Sequence, residues 1–208
     1  MSGVRLAALA VADEPAAWSD AGFVVDDGGR CRLGDVTVAL TPGTGTGVRA
    51  WAIEGVTGAV DGLPAIDLPP EEPAAAAALH PNGTTAVDHV VVMTPDLDRT
   101  VAALEGAGLE ARRVRDADAG GRPIRQVFFR LGQPVLEVVG PPEPSGDGPA
   151  RFFGLALTVA DLDATTAALG DRLGEAKDAV QPGRRIATLR RSAGCTTAIA
   201  FLTPPPPR

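Results

Sequence analysis

A glutamate stands in the middle of an otherwise apolar run, Val135-Leu136-Glu137-Val138-Val139. An ionised carboxylate left unpaired in such a run costs on the order of several kcal/mol. Glu137 is therefore paired with a cation, bound to a metal, or open to water in a cleft. Arg125 and Arg130 are near enough in sequence to be ion-pair partners. A base acting on a small substrate is the chemical alternative. A second candidate is His89, inside the β-branched run Val87 to Met93. It is either a hydrogen-bonded core histidine or a ligand.

Strand geometry gives a reason to group these residues. Side chains alternate along a strand, so Val87, His89, Val91 and Met93 share one face, and Val135, Glu137 and Val139 share one face. Gly132-Gln133 fits a tight hairpin turn with glycine first. That turn pairs Leu131 with Pro134 and sets Phe128 opposite Glu137 and Gln126 opposite Val139. A sheet that buries one face against helices leaves His89, Gln126, Phe128 and Glu137 to line the other.

The elements that must position them read as β-α-β-β-β. Val87 to Met93 is a strand. Thr94-Pro95-Asp96 starts a helix, with proline tolerated at the first helical position. Leu97, Val101, Leu104 and Gly108 recur at helical spacing, and Gly108 is a good stop. Strands follow at Leu109 to Val114, Ile124 to Leu131 and Val135 to Val139.

Two further copies flank this unit. Val4 to Thr41 is a shortened one, with Arg32 to Leu40 lying over Arg130 to Val138. In that register Ala39 stands at the Glu137 position and Leu6 roughly at the His89 position. Phe23 to Asp26 reads as one of its strands, and Val48 to Val56 as one strand more. Phe153 to Arg208 is the third copy, with a helix from Asp161 through Leu173 and a Pro-rich tail after Thr203. Gly183 to Ile186 lies over Gly121 to Ile124, which matches Thr188 and Arg190 to Gln126 and Phe128. Arg190 then points into the cleft or sits on a solvated edge. The expected division is a shortened module over 1–57, a Pro/Ala-rich linker over 58–85, a central module over 86–141, a linker over 142–150 and a last module over 151–208. The fold class is α+β.

The central unit resembles a module of the vicinal oxygen chelate superfamily, which includes glyoxalase I, extradiol dioxygenases, methylmalonyl-CoA epimerase and bleomycin-resistance proteins. Asp88-His89-Val90-Val91-Val92, Asp96-Leu97-Asp98 and Leu136 to Pro141 carry the resemblance. It implies that modules pair around a shared cleft and that His89 and Glu137 bind a divalent metal (Zn, Ni, Mn, Fe or Mg). Glu137 would be the catalytic base, with Gln126, Phe128 and Arg190 as substrate contacts. The implied activity is a metal-assisted isomerase or lyase acting on a small oxygenated metabolite. Ring-cleaving dioxygenase chemistry, which needs two histidines and a carboxylate, ranks lower. The alternative is a metal-free protein that sequesters a small molecule, and a third is a relative whose cleft has filled in. The last module departs from the pattern, because Gly154 and Ala200 replace the two ligands there. Gln126, His80, water or substrate would have to complete a metal site. His80 itself reads as a solvated loop histidine or a cap on the cleft mouth.

The remaining composition narrows the class. The net charge of -7 argues against nucleic acid as a partner. No run approaches the roughly 18 apolar residues of a membrane span, and Asp13-Glu14 cut short the apolar start, so a cytoplasmic protein with no membrane partner is expected. Basic residues are nearly all arginine, with Lys177 the lone lysine. Cys31 and Cys195 are far apart and read as buried thiols. The Gly/Thr loop from Thr41 to Gly47 lacks the Lys-Ser/Thr of a phosphate loop. The leftover first module packs on the pair within the chain or meets its counterpart in a homodimer.

Overall fold

The computed structural model describes residues 4–43, 45–67 and 79–206. Most of the Pro/Ala-rich stretch after Asp67 lies outside these residues. The elements run β1 (Leu6–Val11), α1 (Pro15–Asp20), β2 (Arg30–Leu33), β3 (Val36–Leu40), β4 (Val48–Ile53), β5 (Thr84–Met93) and α2 (Leu97–Gly106). They continue with β6 (Ala111–Asp118), β7 (Pro123–Arg130), β8 (Val135–Gly140), β9 (Arg151–Val159), α3 (Leu162–Leu169), β10 (Lys177–Asp178), β11 (Arg185–Thr188) and β12 (Ala198–Leu202).

Two βαβββ units share one eight-stranded sheet in the order β10-β11-β12-β9-β5-β8-β7-β6. Within each unit the first strand runs parallel to the last, β5 beside β8 and β9 beside β12. The units meet through the antiparallel pair β5–β9. The hairpin from β7 to β8 has the expected register, with Gln126 opposite Val139 and Phe128 opposite Glu137. Gly132 adopts φ 78°, which the first position of such a turn requires.

The helices of the two paired units, α2 and α3, each start on an aspartate. Asp96 caps α2 by accepting from the Arg99 N–H at 3.0 Å, and Asp161 caps α3 by accepting from Asp163 and Ala164. Pro95 thus lies before the cap, two places earlier than the sequence pattern puts it. Leu97, Thr100 and Leu104 of α2 are buried, and Leu104, Val90, Val92, Leu136 and Val138 are fully enclosed in one core. Each such side chain contributes roughly 1.5–3 kcal/mol of apolar burial. This face of the sheet is therefore closed, and the opposite face carries the site.

The first unit forms its own four-stranded sheet, β2-β3-β1-β4. Phe23 to Asp26 is not a strand in it. β4 runs antiparallel to β1, occupying the place that β9 takes beside β5. The small sheet therefore closes its inner edge with its own chain. It packs on the pair within the chain: the Leu6 N–H donates to the Leu131 carbonyl at 3.1 Å, and the Trp51 ring meets Phe152 edge-on. Asp13, 1% exposed, accepts from the Trp18 indole and from Thr196 and Thr197 of the last unit.

His80 belongs to this junction, not to the cleft and not to solvent. Its Nδ1 accepts from the Val24 N–H at 3.0 Å, and its Nε2 lies 2.9 Å from the Arg32 carbonyl. Cys31 and Cys195 are buried, and burial pushes both thiols up to about 12. Among the described residues no helix is long and apolar enough to cross a membrane.

Candidate functional site

A β-bulge builds the floor of the site. On β5, Val87 faces Leu157 and His89 faces Ala156, so Asp88 is an extra residue without a partner of its own. A bulge breaks the strict alternation of a strand. Asp88 and His89 consequently both line the same cleft. β9 carries the matching irregularity at Phe153, the residue before Gly154.

A continuous chain of polar contacts crosses the cleft from this bulge. Arg184 Nη2 donates to Asp88 Oδ2 at 2.5 Å, and Thr158 Oγ1 donates to the same oxygen at 3.1 Å. Asp88 Oδ1 lies 2.8 Å from His89 Nδ1. A carboxylate only accepts, so Nδ1 carries the proton in this contact. The other ring nitrogen, Nε2, lies 3.3 Å from Glu137 Oε2. Gln126 Nε2 donates to Glu137 Oε1, and Gln126 Oε1 accepts from Arg115 Nε at 2.7 Å. Burial alone would raise the Asp88 pKa. The hydrogen bonds from His89 and Arg184, with the Arg184 charge, more than offset it and hold the carboxyl well below the usual range.

The structure brings four of the sequence-derived residues, His89, Gln126, Phe128 and Glu137, into one cleft of about 770 Å³. The partners of Glu137 are His89 and Gln126. Arg125 pairs instead with Asp116 at 2.7 Å, and among the described residues Arg130 reaches only the Gly132 carbonyl. Arg190 is not in the cleft. It follows β11, is exposed, and donates through Nε to the Leu173 carbonyl at 3.0 Å.

The reason is a register error of two residues. Phe128 faces Glu137 and Thr188 faces Ala200, so Thr188 is the counterpart of Phe128 and Ile186 that of Gln126. An even slip keeps the face but delivers different side chains. The arginine that the last unit contributes is Arg184, 4% exposed, further held by the Thr203 carbonyl and Gln181. The sequence pattern places it in the Gly183-Arg184-Arg185 turn, which carries no signal that its side chain enters the cleft. In the first sheet the same comparison puts Ala8, not Leu6, at the His89 position: Ala39 is opposite Ala10, as Glu137 is opposite Val91.

Residues 88–188 match the family model of the Glyoxalase/Bleomycin resistance protein/Dioxygenase superfamily. The paired units form a vicinal oxygen chelate fold. Among solved structures, a triple mutant of 4-hydroxymandelate synthase from Streptomyces coelicolor aligns at TM-score 0.66 and 16% identity, over 98% of this chain and 93% of that chain. At that identity the likeness shows the fold alone. The methylmalonyl-CoA epimerase of Mycobacterium tuberculosis aligns at TM-score 0.47 and 20% identity, over 60% of this chain and 91% of that one, a likeness too low to carry weight. No curated protein sequence matches.

The fold family raises the question of a divalent metal. His89 Nε2 and Glu137 Oε2, 3.3 Å apart, make two donors, and Asp88 orients the imidazole as a carboxylate does behind a metal ligand. The opposite unit adds none. Ala200 has no donor, and a Cβ on Gly154 would lie 2.3 Å from the Ala198 carbonyl oxygen, so no ligand side chain fits there. Among the described residues no three His, Cys, Asp or Glu side chains gather to hold an ion. The donor set as it stands falls short of a resident metal site.

Proposed function

We propose that this chain binds a small oxygenated metabolite in the cleft between its paired units, holding it on His89, Glu137 and Gln126 without a resident metal. The observation that carries this reading is the closed half-site at Gly154, opposite a polar chain whose members already satisfy one another. Arg184, Asp88 and His89 on one side, and Arg115 and Gln126 on the other, fix Glu137 between them. A ligand hydroxyl replaces the long His89–Glu137 contact and donates its hydrogen bond to the Glu137 carboxylate. Sequestration of the molecule follows from binding alone. Proton transfer by Glu137 as base adds a reaction on the same geometry.

The second reading is the metal-assisted isomerase or lyase. The 3.3 Å spacing of His89 and Glu137 and the Asp88 contact behind the imidazole favour it. One measurement separates the two: metal content of protein purified without chelator and then soaked in Mn, Fe, Ni or Zn, beside His89→Ala and Glu137→Ala. The proposal expects no stoichiometric metal in any of them. A near-stoichiometric ion in the wild type, lost in both variants, would establish the metal-assisted reading instead.

A further inference from the structure

The cleft gathers positive charge in a protein that is otherwise acidic. Arg112, Arg113, Arg115, Arg130 and Arg184 all line it, against Asp88 and Glu137, while the whole chain carries -7. Two of these arginines are committed elsewhere: Arg184 to Asp88, and Arg112 to Glu110 at 2.9 Å. Arg113 is different. Among the described residues its guanidinium has no hydrogen-bond or ion-pair partner, and it lies 5.9 Å from the centroid of the Phe128 ring. Arg115 lies 5.8 Å from the same centroid, with its contact to Gln126 using only Nε and Nη2.

Two guanidiniums gathered on one aromatic ring repel each other, and a low-dielectric wall strengthens that repulsion. An anion placed between them reverses the sign of the interaction, and guanidiniums suit oxyanions because their donors form a planar fork. The facing wall has the opposite character. Val180 is 74% exposed although apolar, and Pro182, Ile186 and Leu202 line the cleft beside it. An apolar side chain left in water at a cleft mouth gains by covering.

We infer that the ligand is an organic anion, a carboxylate or phosphate ester with an apolar body. Its oxyanion sits on Arg113 and Arg115 over Phe128, and its body lies against Val180, Pro182, Ile186 and Leu202. This rests on the cleft being a ligand site, and it adds the chemical class and the two subsites.

The test uses three probes on the full chain, followed by amide and arginine side-chain NMR shifts: hexanoate, 1-hexanol and inorganic phosphate. Hexanoate is expected to shift signals of β6 and of residues 179–182, and to bind about tenfold tighter than either other probe. The exposed Arg113→Gln, which leaves the fold intact, should weaken hexanoate by about tenfold and leave 1-hexanol unchanged. Equal binding of 1-hexanol and hexanoate would overturn the oxyanion subsite. Equal binding of phosphate would overturn the apolar wall. Either result keeps the cleft as a ligand site, whereas shifts confined to other surfaces, or absent with all three probes, would remove that reading as well.

Discussion

Arg184 and Asp88 meet at 2.5 Å across the boundary between the two paired units, with Arg184 almost wholly enclosed. The contact joins the turn before β11 to the bulge of β5. It therefore ties the packing of the two units to the orientation of His89, whose Nδ1 is held by the other oxygen of the same carboxylate.

Arg184→Ala leaves that carboxylate partly buried without its cation. Breaking one side of such a pair costs about 3–5 kcal/mol. Urea unfolding should show a loss in that range, with Arg184→Lys losing less. A change below about 1 kcal/mol would mean that the pair is a surface contact in solution.

Gly154→Ala is expected to destabilise by about 1–3 kcal/mol, the usual cost of forcing extra volume into a packed site. The added carbon would collide with the Ala198 backbone, which belongs to a neighbouring strand and cannot rotate away. Thermal unfolding reads this directly. If Gly154→His folds normally and gains a metal, the half-site is open and the argument from its closure fails.

Asp13 contributes, with Asp88, to the acid limb of stability. Burial raises its pKa, but hydrogen bonds from Thr196, Trp18 and Thr197 prevail and the folded value lies below the usual one. A depressed folded pKa stabilises above the unfolded value of about 3.9 and the benefit is lost as pH falls through the folded value. Asp13→Asn should therefore lower stability near neutral pH and flatten its decline below about pH 4. An unchanged acid slope would show that Asp13 does not couple the first sheet to the last unit.

Arg190→Ala should leave ligand binding in the cleft unaltered, since Arg190 points at the Leu173 carbonyl. Its loss removes one hydrogen bond, worth about 0.5–1.5 kcal/mol. Calorimetric titration with hexanoate compares it with Arg113→Gln, and a matching loss of affinity in both would place Arg190 back at the site.

The local pattern of the chain determined the βαβββ units, the face shared by His89 and Glu137, and the hairpin that sets Phe128 against Glu137. These depend on alternation and on one turn, both of which are short-range. Tertiary structure decided the rest. Which arginine enters the cleft depended on the pairing of β11 with β12: an even slip keeps each side chain on its face, so alternation alone could not reveal it. Asp88 turns into the site only because pairing of β5 with β9 leaves it unmatched. His80 lost its loop character to two backbone groups more than forty residues away in sequence. The closure at Gly154 arises from the backbone of β12, a neighbour that no spacing along the chain identifies. Alternation says which side of a strand a residue faces, whereas only the paired strands say what it meets there.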